Sequence, residues 1–226
     1  MSTTNSDLQA RRRAQRRGAR QRILEVTVEL LENHSWTDIT VELIAAQSML
    51  SRTAFYRHFG DRQALLLALL EGLEGRLSQA GDLWYRDAAG PPSLERALQE
   101  LVGIYVRQGR LLRAVAESAT YDPEIRRRYE GLGEKFVRGT RAKIEAETAA
   151  RRSTVADPDE LANCLTWMAE RYLLRSFGQP PLADPTRVTG TLYLVWSRAI
   201  WATDAAVAVD DRSPDDGHSP RRTGLR

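Results

Sequence analysis

The chain has a single cysteine, Cys164, among its 226 residues. No internal disulfide framework can staple it, and a reducing compartment suits it. Long apolar runs are missing too. The longest, Ala64 to Leu70, is seven residues, far short of the ~18–20 that cross a bilayer. The amino-terminal residues are polar and arginine-rich, without the apolar core of a secretory signal, so the expected location is cytoplasmic with no membrane partner. Histidine is scarce: His34, His58 and His218 stand away from carboxylates or cysteine at metal-site or triad-like spacing. Neither a glycine-rich phosphate loop nor a nucleophile elbow occurs. The expectation is a protein that is not an enzyme, with no catalytic residue, no metal ligand and no cofactor; Cys164, on an apolar helix, reads as a packed thiol.

What is present begins with unevenly placed charge. The net charge is +3, yet residues 1–22 carry seven arginines (Arg11, Arg12, Arg13, Arg16, Arg17, Arg20 and Arg22) against Asp7, leaving the rest of the chain net negative. Such a segment is either a solvated arm or a device for contacting phosphates. Residues 1–19 are expected to form a flexible basic arm.

All regular structure reads as helical. Ile23, Leu24, Leu30 and Leu31 follow one helix face between Arg20 and Asn33. Short helices are expected over Val41–Gln47 and Ser51–His58, and a longer one from Asp61 to about Ala80. After Gly90, Pro91 and Pro92, Ser93 reads as the N-cap of a helix ending near Gln108. Asp122-Pro123, Asp157-Pro158 and Asp184-Pro185 each mark a helix start, with a capping carboxylate before a proline that loses no bond there. The last two helices are expected over Asp159–Phe177 and Pro185–Thr203, and residues 205–226 as a disordered tail. About nine helices result, all α.

The segment Thr40 to Phe59 carries the functional signal. Thr40 can cap one helix and Ser51 the next, with a gap of helix-turn-helix length between them. Ile44, Ala45, Leu50, Phe55 and Phe59 can share a core with the helix before them. That leaves Arg52, Thr53, Tyr56 and Arg57 on the outer face, where residues of these types can enter a major groove. Arg52 is the candidate for guanine; Thr53 and Ala54 allow close approach to base edges or a thymine methyl. Thr40, Tyr56, His58 and Arg62 are assigned to phosphates.

Two stretches within this region, Thr37-Asp38-Ile39-Thr40-Val41-Glu42-Leu43-Ile44-Ala45 and Ser51-Arg52-Thr53-Ala54-Phe55-Tyr56-Arg57-His58-Phe59, are followed by Asp61-Arg62-Gln63-Ala64-Leu65-Leu66. Together they resemble the amino-terminal domain of TetR-family transcriptional regulators. The resemblance covers about residues 20–70 and implies a three-helix DNA-binding domain reading a double-stranded operator. One position departs from it: Met49 stands in the turn where the family often has glycine, which reaches positive φ at little cost.

The stretches Glu160 to Phe177, including Met168-Ala169-Glu170-Arg171, and Val195 to Trp201 resemble the carboxy-terminal helices of the EthR branch of that family. This implies a larger domain, residues 71–204, that binds a small, elongated, mostly apolar effector and forms a homodimer through its last two helices. The resemblance sets Leu101, Tyr105, Tyr129, Phe136, Thr140, Thr166, Leu174 and Trp196 near the pocket. Two asparagines that the branch uses as polar pocket groups align with Thr166 and Ala169, which implies a less polar ligand. From residue types alone, the large side chains are by default core or interface, and composition cannot separate that reading from a pocket lining, which uses the same residue types. Glu170 and Arg171 read as an interface pair or as solvated charges. Repressor released by effector is the leading expectation; a protein partner for the larger domain, or activation, remains open.

Overall fold

The computed structural model describes residues 3–87 and 90–201, with eight α-helices and, among these residues, no strand. They are α1 (Thr3–Leu31), α2 (Val41–Gln47), α3 (Arg52–Tyr56), α4 (Arg62–Tyr85), α5 (Pro91–Ser118), α6 (Pro123–Ala149), α7 (Pro158–Phe177) and α8 (Pro185–Trp201). The expected tail, residues 205–226, lies outside the described residues.

Several boundaries differ from those read in the sequence. The first helix begins at Thr3 and not Arg20; no proline intervenes, and the arginine, alanine and glutamine there are good helix formers. Helix α4 continues past Ala80 to Tyr85 because Leu77, Ala80 and Trp84 extend its buried stripe. Ser93 is not an N-cap. Helix α5 starts at Pro91, since prolines fit a first turn whose N–H groups need no partner. The cap is Gly90 at φ 66°, and the Ser93 hydroxyl donates back to its carbonyl at 2.8 Å. The same helix runs unbroken through Gln108 to Ser118. Gly109 is no break: a Cβ there would lie 2.4 Å from the Phe177 carbonyl oxygen, so the residue lets α5 cross the end of α7.

The aspartate caps form as their spacing predicts. Asp61, Asp122 and Asp157 each accept from backbone N–H groups of their own first turns, and Asp184 accepts from Thr186 at 3.1 Å.

Helices α1 to α3 and the start of α4 enclose Ile23, Leu30, Trp36, Ile39, Ile44, Phe55 and Phe59. Helices α4 to α8 enclose the rest of a continuous apolar core, α4 lying along α5 and α6, α6 along α7, and α8 against α5 and α7. At its carboxy-terminal end, α6 holds a buried ion cluster. Glu147 is fully buried, 3.3 Å from the Lys143 ammonium, and accepts from Arg152 at 2.8 Å and from the Trp201 indole at 2.9 Å. Led by the Arg152 bond, these donors hold its carboxyl down at about 2 against burial. Cys164 is exposed on α7 and not packed, because it falls on the outward side of a helix whose inward side carries Leu165 and Ala169.

Candidate nucleic-acid interface

The turn between α2 and α3 is built by the backbone. Thr40 Oγ1 accepts from the Leu43 N–H and Ser51 Oγ from the Ala54 N–H, both at 3.1 Å, so each helix starts on its own hydroxyl cap. At the end of α2 the Leu50 N–H donates to the Ala45 carbonyl at 2.8 Å and the Met49 N–H to the Ala46 carbonyl at 3.1 Å. This is a Schellman closure, and it requires a left-handed residue after the cap. Met49 supplies it at φ 55° with its side chain 79% exposed. Methionine thus adopts the conformation glycine takes easily, and the turn keeps its geometry.

Phe55 and Phe59 are buried with ring centroids 5.9 Å apart, anchoring α3 to the core. Ser51, Arg52, Thr53, Tyr56 and Arg57 are exposed and Ala54 half-buried. Thr40 is exposed at the neighbouring helix start. The structure therefore brings Thr40, Ser51, Arg52, Thr53, Ala54 and Tyr56 together around the start of α2 and along α3.

Two residues expected on phosphates stand elsewhere. Arg62 is half-buried, its guanidinium 4.7 Å from the centroid of the Trp36 ring and donating to the Trp36 carbonyl. It ties the loop before α2 to α4. His58 lines a cleft with Arg20, Phe59, Glu71, Glu124 and Arg127, facing the start of α6. Sequence reasoning also passed over Glu42, whose carboxylate pairs with Arg52 at 2.9 Å. An acidic residue in the first turn of a helix is commonplace, so no local signal marks it.

A second candidate site lies inside the larger helical part. Leu101, Tyr105, Tyr129, Phe136, Thr166 and Trp196 line an apolar cavity of about 70 Å³. Thr140 and Leu174 are not among its lining residues: the buried Thr140 hydroxyl lies 3.2 Å from that of Tyr85, and Leu174 borders an outer cleft with Arg171 and Arg175. Trp167, Glu170 and Leu77 of α4 also contribute walls. Glu170, expected at an interface or in solvent, instead turns toward the cavity and accepts from the Tyr129 hydroxyl. Burial pushes its carboxyl above the ordinary range, partly offset by the Tyr129 bond. Burial likewise pushes the Tyr105 phenol up. Thr166 Oγ1 and Trp196 Nε1, both buried, have no hydrogen-bond partner in the described structure. Close approach explains the cavity's small size, because a Cβ at Gly133 would come within 2.3 Å of the Trp167 ring.

No described helix is long and apolar enough to cross a membrane, and no described cluster of His, Cys, Asp or Glu could hold a metal ion. An outward-facing helix-turn-helix joined to a larger helical body is the arrangement of a DNA-binding transcriptional regulator. Residues 23–69 match the family described as bacterial regulatory proteins, tetR family, and residues 94–202 the family described as transcriptional regulator EthR, C-terminal domain. The chain is 31% identical over 189 residues to the HTH-type transcriptional regulator EthR of Mycobacterium tuberculosis strain H37Rv, spanning 79% of this chain and 85% of that protein. It is 29% identical to the EthR of Mycolicibacterium smegmatis, over 80% of this chain and 85% of that one. The chain belongs to the TetR family of transcriptional regulators and is EthR-like within it. Solved structures share the fold. A tetR-family regulatory protein from Rhodococcus RHA1 superposes with a TM-score of 0.68 at 21% identity, covering 80% of this chain and 96% of that one. NalD of Pseudomonas aeruginosa, the secondary repressor of the MexAB-OprM multidrug efflux pump, gives 0.67 at 19%, covering 82% and 96%.

Proposed function

We propose that this regulator is a cytoplasmic homodimeric repressor, released from its operator by a small, largely apolar effector that enters the inner cavity. Residues 20–70 form the reading domain in this proposal and residues 71–204 the control and dimerisation domain. Arg52 reads guanine, Thr53 and Ala54 approach the neighbouring base edges, and Thr40, Ser51 and Tyr56 hold the phosphate backbone. The arginine-rich amino-terminal segment adds salt-sensitive attraction for any duplex. Two copies join through α7 and α8, whose outer faces leave Met168, Leu194 and Val195 exposed. A two-fold pair then presents two α3 helices to successive grooves.

The observation that carries the control step is the sharing of α4. Its first turns place Leu65 and Leu66 in the same core as Phe55 and Phe59, while Leu77 walls the cavity and Trp84 packs 5.7 Å from Trp196. Pockets for small organic ligands usually span about 300 Å³ or more, so an effector must push apart the walls of a cavity of about 70 Å³. One of those walls is the helix that seats the reading domain. Arg128 of α6, 2.5 Å from Glu74 of α4, links the same helix to the opposite wall. An effector that prefers the widened state releases DNA by that preference alone.

The direct test is a mobility shift on duplexes from the chain's own upstream region at low salt. Binding that is lost in the double variant Arg52→Ala with Tyr56→Ala, and reversed by an apolar compound that raises the protein's melting temperature, fits the reading. Undiminished binding by the double variant sinks the assignment of α3.

A further inference from the structure

Glu42 takes no part in the reading above, yet it stands in the first turn of α2 with its Oε1 2.9 Å from Nη1 of Arg52. The side chains are 57% and 61% exposed, and exposed pairs of this kind add little to stability. A carboxylate beside the DNA-reading face also opposes binding, since it repels phosphates. What the pair does supply is geometry. A free arginine samples many rotamers, and next to DNA it readily settles on a phosphate, a contact without sequence information. With Nη1 engaged by Glu42, the Nε and Nη2 donors stay available as a fork that matches O6 and N7 of guanine. The two residues lie on different helices, and the turn through Met49 brings them together.

The geometry points to Glu42 as a positioning residue that holds Arg52 for guanine and reduces the pull of unrelated DNA, so that it sets specificity at some cost in affinity. This rests on the proposed role of α3 as the base-reading helix. Selection from a pool of random duplexes, run in parallel with the full-length wild type, Arg52→Ala and Glu42→Gln at one salt concentration, tests it without a known operator. The wild type is expected to enrich a motif with a required guanine in each half-site, and Arg52→Ala to lose that requirement. Glu42→Gln is expected to weaken the guanine preference by threefold or more and to bind an unrelated duplex several-fold tighter. Its log–log salt slope on that duplex steepens by about 0.9, the signature of one additional phosphate contact. Its melting temperature stays that of the wild type, which separates this outcome from misfolding. A Glu42→Gln protein that enriches the same motif with undiminished guanine preference, or whose slope and affinity on unrelated DNA do not move, overturns the role of Glu42 and leaves the DNA-reading assignment standing. A wild type that enriches no sequence overturns both.

Discussion

The two ends of α4 belong to opposite designs. Around its first turns, Arg52, Thr53 and Tyr56 point into solvent over a core of apolar side chains, and the helix starts close on the Thr40, Ser51 and Asp61 caps. Around its last turns polar groups turn inward: Glu147 with Lys143 buried, Glu170 with Tyr129 half-buried, and the unpartnered Thr166 and Trp196 atoms buried. Outward polar groups cost little to keep and are free for a partner as large as DNA. Inward ones destabilise the fold unless paired. A change in the reading part is therefore expected to alter binding and spare stability; a change in the control part should alter stability first.

The largest expected effect tests the second half of that contrast. Glu147→Gln leaves the buried Lys143 ammonium without its carboxylate, and removing one partner of a buried pair costs about 3 kcal/mol or more. Denaturant unfolding at neutral pH checks it. The pH dependence has a fixed sign. The Glu147 carboxyl is depressed in the folded protein, to about 2 from an ordinary 4.5. Its contribution is therefore complete above about pH 4.5 and fades as pH falls toward 2. The gap between wild type and Glu147→Gln should close over that window. A gap that is constant with pH removes the ion cluster as its source.

Next in size is Arg52→Ala, which sharpens the first half. Losing a bidentate base contact costs about 1–3 kcal/mol of binding, roughly 5- to 150-fold per half-site. Unfolding should shift by less than about 0.5 kcal/mol, because the side chain is exposed. Equal losses of stability and binding would merge the two designs that the comparison separates.

The same contrast explains what was legible beforehand. The reading unit was visible because its signals are local: caps at Thr40 and Ser51, apolar Phe55 and Phe59, polar residues between them. The lining of the inner cavity depends on which faces of α4 to α8 meet. Leu101, Tyr105, Tyr129, Phe136, Thr166 and Trp196 were reached by resemblance, whereas Glu170 passed for an interface or solvated charge, because inward and outward glutamates look alike in one sequence. Arg62 and His58 passed for phosphate contacts because the Trp36 ring and the cleft beside α6 that receive them lie far off along the chain. The run of α5 past Gln108 to Ser118 was hidden because its close crossing at Gly109 depends on where the Phe177 carbonyl of α7 lies, which no local pattern marks.

Thr166→Val probes the cavity from inside. A buried hydroxyl without a partner costs the fold about 1 kcal/mol or more, and valine keeps the shape while removing it. The unliganded protein should gain roughly 1 kcal/mol in denaturant unfolding, with DNA binding unchanged. Loss of stability would mean that the hydroxyl has a partner, a bridging water for instance, and that the cavity is not poised for a polar atom of a ligand.

The smallest expected effect sits at the hinge of the comparison, in the turn that sets α2 against α3. Met49 holds φ 55° with its side chain in solvent, so it brings no packing to offset a conformation that costs an L-residue about 1–2 kcal/mol. Met49→Gly removes that strain and adds freedom to the unfolded chain, which takes back about 0.4–1 kcal/mol. A net gain of about 0.5 kcal/mol is expected by denaturant unfolding. Because the Schellman bonds from Leu50 and Met49 are already formed, the Glu42–Arg52 pairing and the base preference should stay as they are. A base preference that changes in Met49→Gly would mean that the methionine tunes the angle between α2 and α3, and that strain in this turn belongs to the reading function and not to the fold alone.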